Sequence, residues 1–196
     1  MNKFSITILV IFALLLTYSL VMNKDTSEQT NNPVVVLKTS FGDIELELFK
    51  DKSPNTVDNF IKLSSEGFYN GTRFHRVIEG FMIQGGDPLS KDISQKPMWG
   101  TGDPGYKFAD EIGDFSKNDI GTIAMANSGP NTNGSQFYIN VSNNDFLNGG
   151  YTVFGKVISG MDIVIKISQT ETELNPSGTE KSSPVEDVLV NSVELK

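Results

Sequence analysis

From Val34 onward the chain is repeatedly interrupted. Short stretches rich in β-branched and aromatic residues, around 73–78, 81–84, 121–126, 135–141 and 152–158, are separated by Gly, Asn, Asp and Pro. This punctuation leaves little room for long helices and predicts a mainly β domain, a barrel or a sandwich. The stretch VVVLKTSFGDIELELF, residues 34–49, alternates Ile44, Leu46 and Leu48 with Glu45 and Glu47 around a turn at Ser40–Asp43, the pattern of a hairpin with one wet face. Two segments break the period. In SPNTVDNFIKLSSEG, Ser53 is placed to cap, Pro54 fits the first helical position, Val57, Phe60, Ile61 and Ser64 share a helical face, and Gly67 is placed to end the helix. A second helix is predicted over GMDIVIKISQ, residues 160–169, and a last strand over EDVLVNSVELK. Residues 88–107 and 170–184 read as long loops. Two helices against many short strands predict a closed sheet whose ends the helices plug, since closure removes exposed strand edges.

Before this domain runs FSITILVIFALLLTYSLVM, residues 4–22, nineteen residues without a charge. That is long enough to cross a bilayer as a helix and longer than the core of an ordinary signal peptide, so a membrane anchor is expected, with cleavage as a secretory signal the alternative. Lys3 precedes the run, whereas Lys24 and Asp25 after it cancel, which points the rest of the chain to the extracytoplasmic side. Residues 23–33 read as a polar tether, leaving 34–196 as one domain. The net charge of −8 argues against nucleic acid as a general partner. With no cysteine and one histidine, the inventory excludes a thiolate nucleophile and a zinc cluster, and no metal or other cofactor is expected.

RFHRVIEGFMIQGGD, residues 73–87, sets that histidine and two arginines among apolar neighbours. Read as a strand, Phe74, Arg76 and Ile78 share one face, and Arg73, His75 and Val77 the other. Arg76 is then either a rim residue or paired inside a pocket. His75 reads as structural. MANSGPNTNGSQFYI, residues 125–139, is either a long hairpin loop or a groove wall able to meet an extended peptide, with Gln136 and Tyr138 on the ligand side.

Together FHRVIEGFMIQGGD, MANSGPNTNGSQFYI and VFGKVISGMD resemble, in order and spacing, the signature blocks of cyclophilin-type peptidyl-prolyl isomerases, and the resemblance runs from Val34 to Lys196. It implies an eight-stranded antiparallel barrel capped by two helices, with a groove for proline-containing polypeptides. Arg76 matches the catalytic arginine. Phe81, Met82 and Gln84 match residues lining the proline pocket and holding the peptide. Ala126 and Asn127 match positions that meet the substrate backbone, Gln136 another groove residue, and Leu147 the pocket wall. The chain departs from the common pattern at Tyr138, where many members have Phe, at Phe146, where many have Trp, and at Tyr151, where His is frequent. A buried Tyr138 hydroxyl needs a partner. Without the Trp indole, cyclosporin binding is expected to be weakened.

Rotation about an X–Pro bond makes and breaks no covalent bond, so the missing nucleophile is no obstacle. The barrier of about 18–20 kcal/mol comes from amide resonance. As the bond twists, the imide nitrogen becomes pyramidal and gains a lone pair, which an arginine N–H beside it stabilises more than either planar isomer. The expected function is an isomerase that assists folding of exported or membrane-proximal proteins. The alternative is a non-catalytic proline-peptide-binding module or holdase.

Overall fold

The computed structural model describes residues 32–196. The expected anchor at 4–22 and most of the tether lie outside the described residues. Among the described residues, no helix is long and apolar enough to cross a membrane.

The chain forms β1 (Val34–Thr39), β2 (Gly42–Leu48), α1 (Pro54–Ser65), β3 (Thr72–Arg73), β4 (Arg76–Ile78), β5 (Met82–Gly85), β6 (Thr122–Met125), β7 (Phe137–Asn140), β8 (Val153–Ser159), α2 (Met161–Ser168), β9 (Thr172–Leu174), β10 (Lys181–Pro184) and β11 (Leu189–Leu195). Nine strands make one antiparallel sheet in the order β3, β11, β1, β2, β8, β6, β7, β5, β4, while β9 and β10 form a separate hairpin. This corrects the expected closed eight-stranded barrel: the sheet is a curled half-barrel, and no ladder joins β3 to β4. Those two edges are consecutive in sequence, linked only by Phe74 and His75. The Phe74 N–H still donates to the Val188 carbonyl on the β11 side at 2.9 Å, after which the chain crosses to pair with β5. Backbone connectivity, not hydrogen bonding, therefore spans the seam. Register shifts at Lys38/Thr39, Glu45/Leu46 and Ile123/Ala124 supply the bends that let the sheet curl.

The seam also corrects the predicted strand 73–78. Phe74 is buried in the main core with Val77, and does not share a face with Arg76. Arg73 pins its own edge to surrounding loops: a guanidinium nitrogen lies 2.8 Å from Asp187, and the group sits over the Trp99 ring at 5.3 Å.

Both predicted helices form. They bring Val57, Phe60 and Leu63 of α1, and Val164 and Ile167 of α2, into the core lined by Leu37, Ile44, Leu46, Ile83, Ile123 and Ile139. Phe60 contacts Tyr69, Phe137 and Phe154 with ring centroids 5.1, 5.6 and 5.3 Å away, an aromatic cluster that fills the centre. Beyond α1, Gly67 takes φ +67 and its N–H bonds the Ser64 carbonyl, the termination its position predicts. The start of α1 differs. The Ser53 hydroxyl donates to the Val153 carbonyl at 3.0 Å instead of capping, and the remote Glu111 carboxylate accepts from the N–H groups of Asn55 (3.0 Å) and Thr56 (2.8 Å) and from both their side chains. A carboxylate there meets orphan donors and the positive end of the helix dipole together. Residues 170–184 are likewise not a plain loop, since they hold β9 and β10, and residues 88–107 contain two short 3-10 turns, Pro88–Lys91 and Ile93–Met98.

His75 lies at the seam, 8 % exposed. Burial lowers its pKa from 6.5 to about 4, partly opposed by the nearby Asp87 carboxylate, so the ring is neutral at pH 7. Two stability predictions follow from this architecture. Glu111→Ala is expected to cost about 1–2 kcal/mol in urea unfolding, the usual worth of a helix cap. Between pH 6.5 and 4 the unfolded chain binds a proton at His75 that the folded chain refuses, so stability is complete above pH 6.5 and falls on acidification; His75→Gln should flatten the pH dependence of urea unfolding in that window by about 3 kcal/mol.

Candidate active site

Strand pleating puts alternate residues on opposite faces of the sheet, and four neighbouring strands use this in register. Val77 pairs with Ile83, Ile83 with Ile139, and Ile139 with Ile123, an inward row of the core. One residue over, Arg76 pairs with Gln84, Gln84 with Tyr138, and Tyr138 with Ala124, a row on the opposite face. Met82, Ala124, Tyr138 and Val153 form a second apolar cluster there, with Phe81, Ala126, Leu147 and Tyr151 packed on it. A cavity of about 160 Å³ opens over this cluster, lined by Arg76, Phe81, Met82, Gln84, Ala126, Asn127, Tyr138, Leu147 and Tyr151. Nine of the eleven site residues expected from the sequence thus line one concavity. Beside it lies a second cavity of about 290 Å³, which shares Gln84, Ala126 and Asn127 with the first and is otherwise walled by Gln136 and by residues of the 100–107 and 128–135 loops.

Gln136 therefore faces the neighbouring cavity. Phe146 lines neither; it is 74 % exposed and stacks on Phe81 with centroids 5.7 Å apart, screening one side of that ring. The Asn127 side chain ties two loops together, donating to the Gly150 carbonyl of the β7–β8 connection at 3.0 Å and accepting from the Gly129 N–H of its own loop at 3.2 Å. Tyr138 forms the floor, buried, with its ring edge-on to Tyr151 at 5.7 Å. Its hydroxyl donates to Asn118 Oδ1 at 2.6 Å, so the polar atom is satisfied beneath the floor and the cavity meets the apolar ring. Burial raises the phenol pKa, keeping it a neutral donor. Asn118 is held in turn: its N–H donates to Asn148 Oδ1 at 2.7 Å, and its carbonyl accepts from the Asn144 N–H at 2.8 Å.

Arg76 stands at the end of its row because β4 is an edge strand. Both readings left open by the sequence hold at once: the residue is at a rim and is paired. Nε donates to Glu180 Oε2 at 2.7 Å and Nη2 to Glu180 Oε1 at 2.8 Å, a two-pronged pair. Each side chain is 34 % exposed, and the arginine lowers the pKa of Glu180. Nη1 is directed toward the cavity lining, 3.4 Å from Gln84 Oε1 and 3.9 Å from Met82 Sδ, with Cζ 5.8 Å from the Phe81 ring centre. From there the bonds continue in one sense: Gln84 Nε2 donates to Gln136 Oε1 at 3.1 Å, and Gln136 Nε2 donates to the carbonyls of Gly100 (3.1 Å) and Gly102 (2.8 Å). Because arginine only donates, it sets the orientation of both amides down the line.

Glu180 and Asn118 are the residues that sequence reasoning missed. Glu180 lies 104 positions from Arg76 in a segment read as loop, and Asn118 is one of many asparagines in turn-rich sequence. Only the unplaced Tyr138 hydroxyl signalled that a partner such as Asn118 had to exist. Among the described residues, no group of His, Cys, Asp and Glu is arranged to hold a metal ion.

An apolar slot with one fixed cation at its lip and oriented amides alongside has the chemistry to receive a small apolar ring flanked by peptide backbone. Comparison with known proteins agrees. The profile of the family described as cyclophilin type peptidyl-prolyl cis-trans isomerase/CLD matches residues 34–195. Peptidyl-prolyl cis-trans isomerase CYP18-1 of Arabidopsis thaliana is 48 % identical over 139 residues, covering 70 % of this chain and 84 % of its own. Peptidyl-prolyl cis-trans isomerase B of Streptomyces anulatus is 43 % identical over 178 residues, covering 82 % and 94 %. A cyclophilin of Cryptosporidium parvum, solved also in the presence of the dipeptide Ala-Pro, superposes with TM-scores of 0.75 and 0.73 at 34 % identity; the two structures cover 84 % and 83 % of this chain and 98 % of their own. The chain belongs to the cyclophilin-type peptidyl-prolyl cis-trans isomerases.

Proposed function

We propose that this isomerase acts on proline-containing segments of exported or membrane-proximal proteins, held at the extracytoplasmic membrane surface by residues 4–22, with Arg76 as the catalytic donor. The observation that carries the assignment is the Nη1 edge of Arg76 at the lip of a slot floored by the Tyr138 ring. Phe81, Met82 and Leu147 grip the pyrrolidine ring, while Gln84, Ala126, Asn127 and Gln136 hold the flanking backbone, so one side of the X–Pro bond is fixed as the other turns. The Nη1 proton then meets the lone pair that the imide nitrogen develops in the twisted state, and every 1.4 kcal/mol of stabilisation confined to that state gives about a tenfold rate increase.

Support for the location comes from the uncharged run 4–22 and the basic residue before it. Tyr138, with its hydroxyl turned away from the slot to Asn118, gives no reason to prefer a purely binding role. The exposed Phe146 has no indole N–H to offer, which supports weakened cyclosporin binding.

In a coupled assay with a proline tetrapeptide, Arg76→Ala is expected to lower kcat/KM about 10²–10³-fold, the usual effect of removing one transition-state donor. Equal rates for the two proteins would remove Arg76 as the catalytic donor, whereas a wild-type rate no faster than the uncatalysed one would leave a binding module or holdase. For the anchor, the full chain is expected to remain with the membrane fraction through a high-salt wash and to leave it only with detergent. A soluble product lacking residues 1–22 would instead identify a cleaved signal.

A further inference from the structure

The β9–β10 hairpin does more than connect α2 to β11. Its turn is built around Asn175, whose Oδ1 accepts from the Thr179 N–H at 2.9 Å and the Glu180 N–H at 3.3 Å, while the Asn175 N–H donates to the Glu180 carbonyl at 2.7 Å. The hairpin packs on β4 and is tied to the 88–107 segment by Lys96 and Glu173, 2.8 Å apart. Its outcome is a carboxylate brought 104 residues along the chain to the back of Arg76.

We propose that Glu180 is a positioning residue for the isomerase reaction: by taking Nε and Nη2 of Arg76 it leaves Nη1 as the edge presented to the groove and holds the guanidinium plane in place. The inference rests on the reading of Arg76 as the catalytic donor. An arginine on an edge strand has several rotatable bonds, and freezing them costs free energy that an unpaired side chain would have to spend during the reaction. The two-pronged bond spends it in the resting protein, and a planar fork fixes orientation as well as position, which a single-point contact would not. The face over Phe81 and the Nη1 bond to Gln84 complete the hold from two other directions. Glu180 touches no substrate in this scheme and acts only through Arg76.

The test uses kcat and KM of the full chain in the tetrapeptide assay. Glu180→Ala is expected to lower kcat about tenfold with KM within about twofold, because misorientation of a donor slows the chemical step more than binding. Glu180→Gln, which keeps one acceptor, should fall between the two. In the Arg76→Ala background, Glu180→Ala should have no further effect. Glu173→Ala, on the same hairpin, should keep wild-type kcat. By NMR, the Arg76 Nε–H proton should be protected from exchange in the wild type and lose that protection in Glu180→Ala. Unchanged or increased kcat in Glu180→Ala, a loss confined to KM, a loss that persists without Arg76, or an equal loss in Glu173→Ala would each overturn the proposal. If Arg76→Ala alone is fully active, it is the catalytic assignment of Arg76 that fails.

Discussion

The two-residue period of four adjacent strands is the constraint on which the rest of the domain depends. β4, β5, β7 and β6 are paired so that every second residue enters the core and every other one faces the groove. Val77, Ile83, Ile139 and Ile123 therefore stabilise the fold at the same positions along the strands where their neighbours Arg76, Gln84, Tyr138 and Ala124 build the site. A one-residue slip of β4 on β5 would exchange the faces of that strand, burying the Arg76 guanidinium and exposing Val77. Site geometry is thus as well fixed as the core is, without a separate scaffold.

Polar groups around the slot are oriented from its ends. At one end Glu180 and Arg76 begin a run of hydrogen bonds through Gln84 and Gln136 to the backbone of Gly100 and Gly102, and its sense is dictated by a side chain that has no acceptor. Beneath the floor, Asn118 takes the Tyr138 hydroxyl out of the cavity. The slot is left apolar where a pyrrolidine ring would sit and polar only along its margin, the division of labour expected of a small-ligand pocket.

Elements with local chemistry were legible from the sequence. The hairpin of β1 and β2, both helices and the turn at Gly67 follow from periodicity and from residues with narrow backbone preferences. Nine of the eleven expected site residues line one cavity: Arg76, Phe81, Met82, Gln84, Ala126, Asn127 and Tyr138 lie within two of the family blocks, 74–87 and 125–139, and Leu147 and Tyr151 in the segment that follows the second. Besides the open seam and the partners Glu180 and Asn118, other features were not legible, for differing physical reasons. Strand alternation places Phe74 on the face of Arg76, but the chain changes sheet edge between them, and alternation does not carry across that seam. Ser53 has the residue type and position of a cap, and nothing local announces that Glu111 reaches the α1 terminus from another loop. The 170–184 segment reads as loop because a short, polar hairpin has no hydrophobic period to display.

What the amino-acid order determined alone is what depends on neighbours within a few positions: strand period, helix period, turns, and the residue types available for chemistry. The tertiary structure decided how the sheet ends meet, which carboxylate caps α1, where the Tyr138 hydroxyl goes and which acid holds Arg76. Each of these is a contact between groups far apart in the chain, and hydrogen-bond partners of that kind are selected by where the packed sheet brings the backbone, which no local pattern encodes.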